Sequence, residues 1–267
     1  MTQNSPKLFS LEHKTVLVTG ATGYLGRAIS FGLAALGARV LVNGRSPEKV
    51  DELVASLHGT GGEALSAAFD VSDENSVKDW FVKFADQPLD GLVNNAYAGT
   101  AGSIETANAE DYRGSYEVTM VAAHQMLSAA LPALRLAVQK NGAASVVNMG
   151  SMYGIVSPDQ RIYAGKSVSN PPFYGAAKAA LLQWTRYAAC EFGPEGIRVN
   201  AVSPGPFPSD AVQQSNPDFI RSLSQKVPLG RIGVADELQG PLGFLLSDAS
   251  SYVNGANLSV DGGWTCW

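Results

Sequence analysis

The octapeptide TGATGYLG at residues 19–26 decides the fold prediction for this chain. Its three glycines, Gly20, Gly23 and Gly26, are spaced three apart and follow the apolar run TVLV at residues 15–18. A glycine-rich turn between a strand and a helix offers bare backbone N–H groups and the positive helix end to an anion. The stretch is therefore a candidate cradle for a dinucleotide pyrophosphate, although a plain structural turn explains the glycines alone about equally well.

Short β-branched runs alternate with helix-length segments along the rest of the chain. Strands are predicted at residues 15–19, 39–43, 64–69, 91–94, 145–148, 197–202 and 256–260. The first helices are predicted at residues 25–36, closed by Gly37, and at residues 47–57, with Ser46 as N-cap and Pro47 at the first helical position. This alternation predicts an α/β fold, a doubly wound parallel sheet of about seven strands with helices on both faces, Rossmann-like. Because no linker or repeat interrupts the pattern, residues 1–267 are predicted to form a single domain.

Composition argues against several classes of function. The chain has 267 residues, of which 45% are hydrophobic and 16% charged, so it can bury a large core. A formal net charge of −5 provides no basic surface for nucleic acid. The first ten residues are polar, and no later stretch is predicted to span a membrane. We therefore expect a cytoplasmic protein with a small-molecule substrate, no nucleic-acid partner and no membrane partner.

The cysteines and histidines give no sign of a metal site. Cys190 and Cys266 lie far apart without a partner motif, which also argues against a disulfide. The histidines at positions 13, 58 and 124 are scattered, with no acidic residue at ligand spacing. Metal catalysis is therefore not predicted.

Five further stretches follow the glycine turn in a fixed order: NNA at 94–96, NMGSMYG at 148–154, YGAAK at 174–178, RVNAVSPG at 198–205 and VDGG at 260–263. With them, the chain resembles the short-chain dehydrogenase/reductase family over about its whole length. The resemblance implies a nicotinamide-dependent oxidoreductase that interconverts a carbonyl and a secondary alcohol. It also implies a homodimer or homotetramer built from the helices around residues 110–138 and 174–192.

The resemblance assigns catalytic roles to Tyr174, Ser151, Lys178 and Thr119. Tyr174 is the proton donor or acceptor at the substrate oxygen, and Ser151 donates a hydrogen bond to that oxygen. Lys178, one helical turn beyond Tyr174, can lower the phenol pKa, which has to fall by about three units to act near neutrality. Thr119 replaces a family asparagine that helps to hold a water next to the lysine, so its hydroxyl either binds that water or packs against a helix. Without the resemblance, Ser151, Tyr174 and Lys178 are a turn serine, a half-buried aromatic residue and a solvated lysine.

The resemblance also assigns the cofactor residues along the chain. They are Gly20, Thr22, Gly23, Tyr24, Leu25 and Gly26 in the cradle, Asp70 and Val71 at the adenine, Asn94 and Ala96 beside the adenosine, Tyr174 and Lys178 at the ribose, and Pro204 and Gly205 beside the nicotinamide. Asp70 is alternatively a simple cap at the end of a strand.

The end of the second predicted strand bears on the choice of cofactor. Gly44 stands where NAD-preferring relatives usually place an aspartate. Arg45 could pair with a 2′-phosphate there, and Ser46 could add a hydroxyl, which predicts NADP(H) with NAD(H) as the less favoured cofactor. A solvent-facing Arg45 is the alternative.

Several features depart from the family pattern. Tyr97 replaces the glycine that often follows NNA, which places bulk beside the expected nicotinamide or substrate. The three-apart glycines resemble the larger epimerase and dehydratase branch, whose extra substrate domain this chain looks too short to carry. We therefore expect a working cradle with Tyr24 packed beside it.

Two segments are predicted to shape the substrate pocket. Ser151 and Tyr174 are about ten positions further apart than in common relatives, so residues 152–173 are predicted to be a substrate-loop insert. Arg161 and Lys166 within it could pair with an anionic substrate group, or they are solvated loop charges. Residues 207–227 are predicted to form a mobile lid.

Three hypotheses of function follow. The first is an NADP(H)-dependent oxidoreductase acting on a hydroxylated or sugar-like substrate. The second is an NAD-linked polyol or sugar dehydrogenase. The third is a non-catalytic, dinucleotide-sensing binding protein, which would tolerate the loss of Ser151, Tyr174 or Lys178, whereas this chain has all three.

Overall fold

A computed structural model of the protein describes residues 8–165 and 168–267. Its centre is one parallel sheet with strand order β3-β2-β1-β4-β5-β6-β7. The strands are β1 Thr15–Val18, β2 Arg39–Gly44, β3 Glu63–Ala68, β4 Gly91–Asn94, β5 Ala144–Met149, β6 Ile197–Pro204 and β7 Asn257–Val260. All seven predicted strands are present, with small differences at their ends. The predicted doubly wound, Rossmann-like α/β fold is therefore confirmed.

Helices cover both faces of this sheet. Those in the described ranges are α1 Tyr24–Ala35, α2 Pro47–Gly59, α3 Glu74–Lys83, α4 Ala109–Tyr116, α5 Ala122–Asn141, α6 Pro172–Phe192, α7 Asp210–Ser215, α8 Pro217–Lys226 and α9 Gln239–Leu246. Helices α1, α2 and α9 bury their apolar side chains with Val16 and Val18 of β1 on one face. Helices α3 and α5 pack with Leu17 on the other face. Because both faces are covered, the central strands are continuously apolar rather than alternating.

The predicted helix signals agree with the structure. Ser46 caps α2, because its side chain accepts a hydrogen bond from the backbone N–H of Lys49, and Pro47 is the first helical residue. Gly37, directly after α1, has a φ of 94°, a conformation that glycine adopts without strain.

Helices α4 and α5 are joined by a π-helical turn at Glu117–Val121. Together they form a helical stretch, Ala109–Asn141, that is long and apolar enough to cross a membrane by length and composition alone. No membrane-spanning stretch was predicted from the sequence. Met126, Leu127 and Leu134 of this stretch lie buried against the sheet, as in a core helix.

The strand order reverses between β1 and β4, which lie side by side in the middle of the sheet. In open α/β sheets, ligands bind beyond the carboxyl ends of the strands at such a switch point. The segments that follow β1, β2, β3 and β4 all reach this edge, and they carry most of the predicted cofactor residues. The fold therefore creates the candidate cofactor crevice from parts of the chain that are distant in sequence.

Candidate active site

The glycine turn after β1 is packed so closely that side chains would not fit. Gly20 has a φ of 60°, and a Cβ there would lie 2.8 Å from the Cα of Ala96. A Cβ on Gly26 would overlap the carbonyl oxygen of Gly20. The turn is also held from the end of β4, because the side-chain amide of Asn95 donates to the carbonyl oxygens of Thr19 at 2.9 Å and Gly20 at 3.2 Å. These contacts fit a rigid turn that opens its backbone to a ligand.

A cleft of about 440 Å³ opens beside this turn. Ten of the residues predicted to bind the cofactor line it: Gly20, Thr22, Gly23, Tyr24, Leu25, Gly26, Arg45, Asp70, Val71 and Ala96. Its size and position suit a dinucleotide, and the closely packed glycines leave the backbone of the turn open to a pyrophosphate. Tyr24, which was expected to pack beside the cradle, lines the cleft as the first residue of α1.

Some residues of the cleft were not assigned from the sequence. They are Asn43, Phe69, Ser72, Asn95, Ala98 and Val118. Asn43 has a clear structural role, because its side-chain amide donates to the carbonyl oxygens of Ala67 at 2.9 Å and Phe69 at 3.1 Å. Asn43 and Asn95 could have been predicted from the sequence, because each lies at the end of a predicted strand and close to a residue that was assigned to the cofactor.

Other predicted cofactor residues lie outside the lining of this cleft. Ser46 donates to a carboxylate oxygen of Glu48 at 2.7 Å and caps α2. Asn94 is buried, and its amide donates to the side-chain oxygen of Asn148 at 2.8 Å. Pro204 ends β6, and a Cβ on Gly205 would lie 2.5 Å from the Cα of Asp261. The contacts that these residues are predicted to make with a cofactor stay predictions.

The adenosine end of the cleft carries an unpaired cation. Arg45 is exposed, and the hydrogen bonds and ion pairs found between described residues do not use its guanidinium. Gly44 is buried, with its Cα so close to Thr22 and Val50 that a Cβ would lie 3.1 Å from either side chain. Asp70, on the opposite wall, accepts a hydrogen bond from the backbone N–H of Ser72 at 2.9 Å. Asp70 therefore both lines the cleft and caps a turn.

Ser151, Tyr174 and Lys178 come together where β5 ends and α6 begins. Ser151 follows β5, and Tyr174 and Lys178 lie one turn apart near the start of α6. A hydrogen bond with the Ser151 hydroxyl lowers the pKa of Tyr174, but burial of the phenol has the larger effect and raises it. The net pKa of Tyr174 is therefore raised, opposite to the fall of about three units that we expected for this phenol. The physical reason is that burial disfavours the tyrosinate more than the hydrogen bond favours it.

Lys178 lies in the interior rather than in solvent. It is 4% exposed, and its ammonium donates to the carbonyl oxygen of Met149 at 2.6 Å. Burial lowers the pKa of this lysine to about 8. The alternative of a solvated helix lysine is thus wrong, because the side chain passes inward from α6 towards the end of β5.

Thr119 is buried in the π-helical turn between α4 and α5. Its hydroxyl oxygen and the side-chain oxygen of Asn94 have no hydrogen-bond partner among the described residues. Both residues line a small cavity of about 10 Å³ that also adjoins Lys178. This volume is at the lower limit for one water molecule, and four of the residues that line the cavity are polar: Thr19, Asn94, Thr119 and Lys178. The site thus offers a water position with two unsatisfied acceptor oxygens and a buried lysine around it.

The insert at residues 152–173 packs against the segment at residues 207–227. The predicted lid consists of two helices, α7 and α8, rather than a long loop. Leu223 and Val227 from this segment pack with Met152, Tyr153 and Trp264. The hydroxyls of Tyr153 and Tyr163 are 3.0 Å apart, and the Tyr163 ring lies 5.5 Å from that of Phe219 on α8. The insert at residues 152–173 and the segment at residues 207–227 are therefore packed together, and the two form a single wall.

An ion-pair network crosses the same contact. Asp159 accepts hydrogen bonds from Arg161, at 2.7 Å for the closest pair, and from Lys226 at the end of α8. These hydrogen bonds hold the pKa of Asp159 well below its usual value. Arg161 is thus paired within the insert, with most of its side chain exposed. Lys166, the other cation predicted to meet an anionic substrate, lies outside the described residues.

The described residues also bear on metal binding and on the cysteines. Over residues 8–165 and 168–267, no three His, Cys, Asp or Glu side chains come together as a metal-binding group. Cys190 and Cys266 are both free and exposed.

Comparisons with known proteins identify the family of this chain. A family model described as enoyl-(acyl carrier protein) reductase matches residues 20–265. Gluconate 5-dehydrogenase of Gluconobacter oxydans is 32% identical over 97% of this chain and 98% of its own length. The chain therefore belongs to the short-chain dehydrogenase/reductase family and is an oxidoreductase acting on CH–OH groups with a nicotinamide cofactor.

Solved structures of the family superpose closely on this chain. The gluconate 5-dehydrogenase of Burkholderia cenocepacia, in complex with NADP and tartrate, has a TM-score of 0.87 at 27% identity, covering 99% of this chain and 100% of its own. A 7α-hydroxysteroid dehydrogenase, in complex with NADH and a 7-oxo bile acid, has a TM-score of 0.84 at 26% identity, covering 98% of each chain. The same fold thus binds NADP in one of these structures and NADH in the other. The fold alone therefore does not determine the cofactor of this chain, and individual residues in the cleft have to.

Proposed function

We propose that the protein is an NADP(H)-dependent oxidoreductase that interconverts a ketone and a secondary alcohol on a polyhydroxylated acid. The observation that carries the proposal is the convergence of Ser151, Tyr174 and a buried Lys178 beside a cleft with the shape of a dinucleotide site. Bound NADPH would supply the hydride in the reductive direction. The chain's own residues would then hold the substrate oxygen and deliver the proton.

Tyr174 is the proposed proton donor to the carbonyl oxygen in reduction and the acceptor in oxidation. The raised pKa of Tyr174 keeps the phenol protonated, as the donor role in reduction requires. Ser151 shares a hydrogen bond with this phenol, and its hydroxyl is placed to hold the same substrate oxygen. The ammonium of Lys178 favours the tyrosinate that forms when the proton leaves, because opposite charges attract strongly where water is excluded.

The proposal of NADP(H) rests on the end of β2. Gly44 leaves no carboxylate at the position that would repel a 2′-phosphate, and the exposed guanidinium of Arg45 lines the cleft. A guanidinium binds a phosphate by two parallel charge-assisted hydrogen bonds. The NADP in the gluconate 5-dehydrogenase complex supports the same choice. An NAD-linked dehydrogenase is the alternative, in keeping with the NADH of the hydroxysteroid enzyme.

The proposed substrate class follows from the relatives and from the insert. Two of the similar proteins are gluconate 5-dehydrogenases, and one holds tartrate, a hydroxylated dicarboxylate. The wall formed by the insert carries the hydroxyls of Tyr153 and Tyr163 and the amide of Gln160, which can bind substrate hydroxyls. A polyhydroxylated acid such as gluconate, or the ketone made from it, is therefore the first substrate to test.

Thr119 and the two wall segments have proposed roles beside this chemistry. We infer that a water in the small cavity links Lys178 to Thr119 and Asn94. Protons would then reach Lys178 and Tyr174 through this cavity. We also propose that residues 152–173 set substrate selectivity and that residues 207–227 act as the lid.

The single domain over residues 1–267, the cytoplasmic location and the homodimer or homotetramer stay predictions. Light scattering that shows only monomer would contradict the last of them.

The test of the function combines binding with turnover. Dissociation constants for NADPH and NADH are measured by fluorescence in the parent and in Arg45→Ala, with Arg135→Ala as the control, since Arg135 pairs with Glu195. Loss of one charge-assisted pair, worth about 1.5 to 3 kcal/mol, weakens NADPH binding by roughly 10- to 150-fold and leaves NADH binding nearly unchanged. Equal or tighter binding of NADH by the parent would contradict the cofactor proposal.

Turnover is measured with gluconate, 5-ketogluconate and a panel of other ketones and polyols, using both cofactors in both directions. The proposal expects highest kcat/KM for a polyhydroxylated acid with NADP(H). Tight cofactor binding without turnover of any panel member would favour the non-catalytic, dinucleotide-sensing alternative.

A further inference from the structure

Tyr97, which stands where relatives often have glycine, contacts both members of the proposed catalytic pair. Its ring lies edge-on to the Tyr174 ring, with a centre-to-centre distance of 4.9 Å and an interplanar angle of 71°. The ammonium of Lys178 lies 5.6 Å from the centre of the Tyr97 ring and 5.8 Å from that of Tyr174. The buried cation therefore lies within the range of cation–π attraction to two aromatic rings at once.

This arrangement matters because, among the described residues, Lys178 has no anionic partner to offset its burial. The ion pairs between described residues include none to Lys178, and its ammonium donates a hydrogen bond to the neutral carbonyl of Met149. The titratable groups that face it are Tyr97 from the segment after β4 and Tyr174 from α6. Thr119 from the π-helical turn, Asn94 from β4 and Leu181 from α6 line the same small cavity as Lys178, and none of these carries a charge.

Tyr97 is itself held in place from a third element. Its hydroxyl is hydrogen-bonded to Ser115 on α4, and Ser115 also donates to the carbonyl oxygen of Phe173 at 3.3 Å. Tyr97 is 38% exposed, and partial burial of its phenol raises the pKa of Tyr97 to about 12, so its ring stays a neutral phenol with an electron-rich face over the working range of pH. A glycine at this position could supply neither the ring nor the tether to α4.

We propose that Tyr97 is a positioning residue that stabilises the charged form of Lys178 through the face of its ring and holds the Tyr174 ring in its working orientation. This inference rests on the proposed function for its relevance to catalysis, but the electrostatic part concerns the protein alone. Tyr97 thereby does part of what a carboxylate partner would do, without forming an ion pair that would draw Lys178 away from Tyr174. This chain has the pattern NNAY, in which Tyr97 takes the place of the glycine that often follows NNA in the family.

The direct test is the titration of Lys178 without substrate or cofactor. The protein is labelled with ¹³Cε-lysine, the Lys178 resonance is assigned by its loss in Lys178→Arg, and its chemical shift is followed against pH. Tyr97→Phe keeps the ring, so the titration midpoint of Lys178 should stay within about 0.3 units of the parent. Tyr97→Leu keeps apolar bulk but removes the ring face, so the midpoint should fall by about 0.5 to 1.5 units.

Two further proteins separate the ring effect from packing. Replacing Tyr97 by 3,4,5-trifluorophenylalanine keeps the shape of phenylalanine and weakens the electron density of its face, so the Lys178 midpoint should fall below that of Tyr97→Phe. Tyr252→Leu, a change at a fully exposed tyrosine, should leave the midpoint unchanged. If the trifluorinated protein titrates as Tyr97→Phe does, or if Tyr97→Leu titrates at or above the parent, the proposed stabilisation is refuted. The trifluorinated protein gives this answer even where Tyr97→Leu does not fold.

The catalytic consequence is measured separately, in the reduction of 5-ketogluconate with NADPH. Reduction uses the protonated phenol and the charged lysine, so its rate should decline with rising pH at a lower pH in Tyr97→Leu than in Tyr97→Phe. The titration midpoint of Lys178 could shift in Tyr97→Leu while the pH profile of the rate does not. Tyr97 would then still stabilise the charged Lys178, but the proposed catalytic function of Lys178 would be contradicted. An unshifted lysine midpoint refutes the inference whatever the rates show.

Discussion

The ammonium of Lys178 lies 5.8 Å from the centre of the Tyr174 ring, one turn further along α6, and donates to the carbonyl oxygen of Met149 at the end of β5. The lysine thus reaches across from a helix to the sheet and fixes its charge beside the phenol. Because both side chains are largely out of water, each affects the protonation of the other more strongly than the same pair would at a surface.

Tyr174→Phe removes the proposed proton donor and keeps the ring contact with Tyr97. We expect kcat to fall by about 10²- to 10⁴-fold, the usual contribution of a positioned acid or base, with the dissociation constant for NADPH changed little. Steady-state turnover and fluorescence titration measure the two quantities. Tyr187→Phe, an exposed position on the same helix, is the matched control. Activity within a few-fold of the parent would show that Tyr174 is not the donor.

Burial of Lys178 should appear in the pH dependence of stability. Its pKa is lowered to about 8 in the folded protein, whereas a lysine in the unfolded chain keeps its ordinary, higher value. Between these values the unfolded chain binds a proton that the folded protein does not, so this lysine makes folding more favourable as the pH rises from about 8 towards 10. Below pH 8 both states hold the proton, and the contribution no longer changes with pH.

The effect of Lys178 on stability is measured by comparing the parent protein with Lys178→Met. The free energy of unfolding from urea titrations should rise by up to about 2 kcal/mol more in the parent than in the variant between pH 8 and 10. Lys140→Met, a change at an exposed lysine near the end of α5, is the control and should follow the parent. Parallel curves for the parent and Lys178→Met would mean that Lys178 is not buried as described.

Thr119→Val tests the proposed water in the cavity next to Lys178. If the hydroxyl binds that water, the valine should lower kcat by about tenfold, equivalent to about 1.4 kcal/mol, and shift the pH profile, while Thr119→Ser retains both. If the hydroxyl has no partner at all, its removal should instead stabilise the fold by about 1 to 3 kcal/mol without a change in the profile. Measuring kcat against pH together with the unfolding free energy distinguishes the two results.

The contact between the insert and α8 should control substrate entry. Lys226→Gln breaks the ion pair to Asp159, and we expect a loosened α8, a KM for substrate raised by about two- to fivefold, and an unchanged affinity for NADPH, since partly exposed pairs contribute up to about 1 kcal/mol. Arg221→Gln breaks an exposed pair to Asp218 within the same helix and is the matched control. Adding Asp159→Asn should then have little further effect on KM. An unchanged KM in Lys226→Gln would mean that the pair does not govern a lid.

Local signals in the sequence were sufficient for the strands and for much of the cofactor cleft. The apolar runs mark the buried strands because both faces of the sheet are covered, and the glycines of residues 19–26 mark a turn that tolerates no side chains. The residues next to each strand end had to face the same edge, because parallel strands place their carboxyl ends together. Ten cofactor assignments therefore fall in one cleft.

The burial and the long-range contacts of the individual side chains were decided by the tertiary structure alone. Lys226 pairs with Asp159, and Tyr97 lies against Lys178, although no spacing in the sequence relates the members of either pair. The burial that raises the pKa of Tyr174 and lowers that of Lys178 comes from elements far away along the chain. A linear sequence specifies local backbone preference and apolar pattern, whereas solvation, charge and hydrogen-bond partners depend on which distant segments close around a side chain.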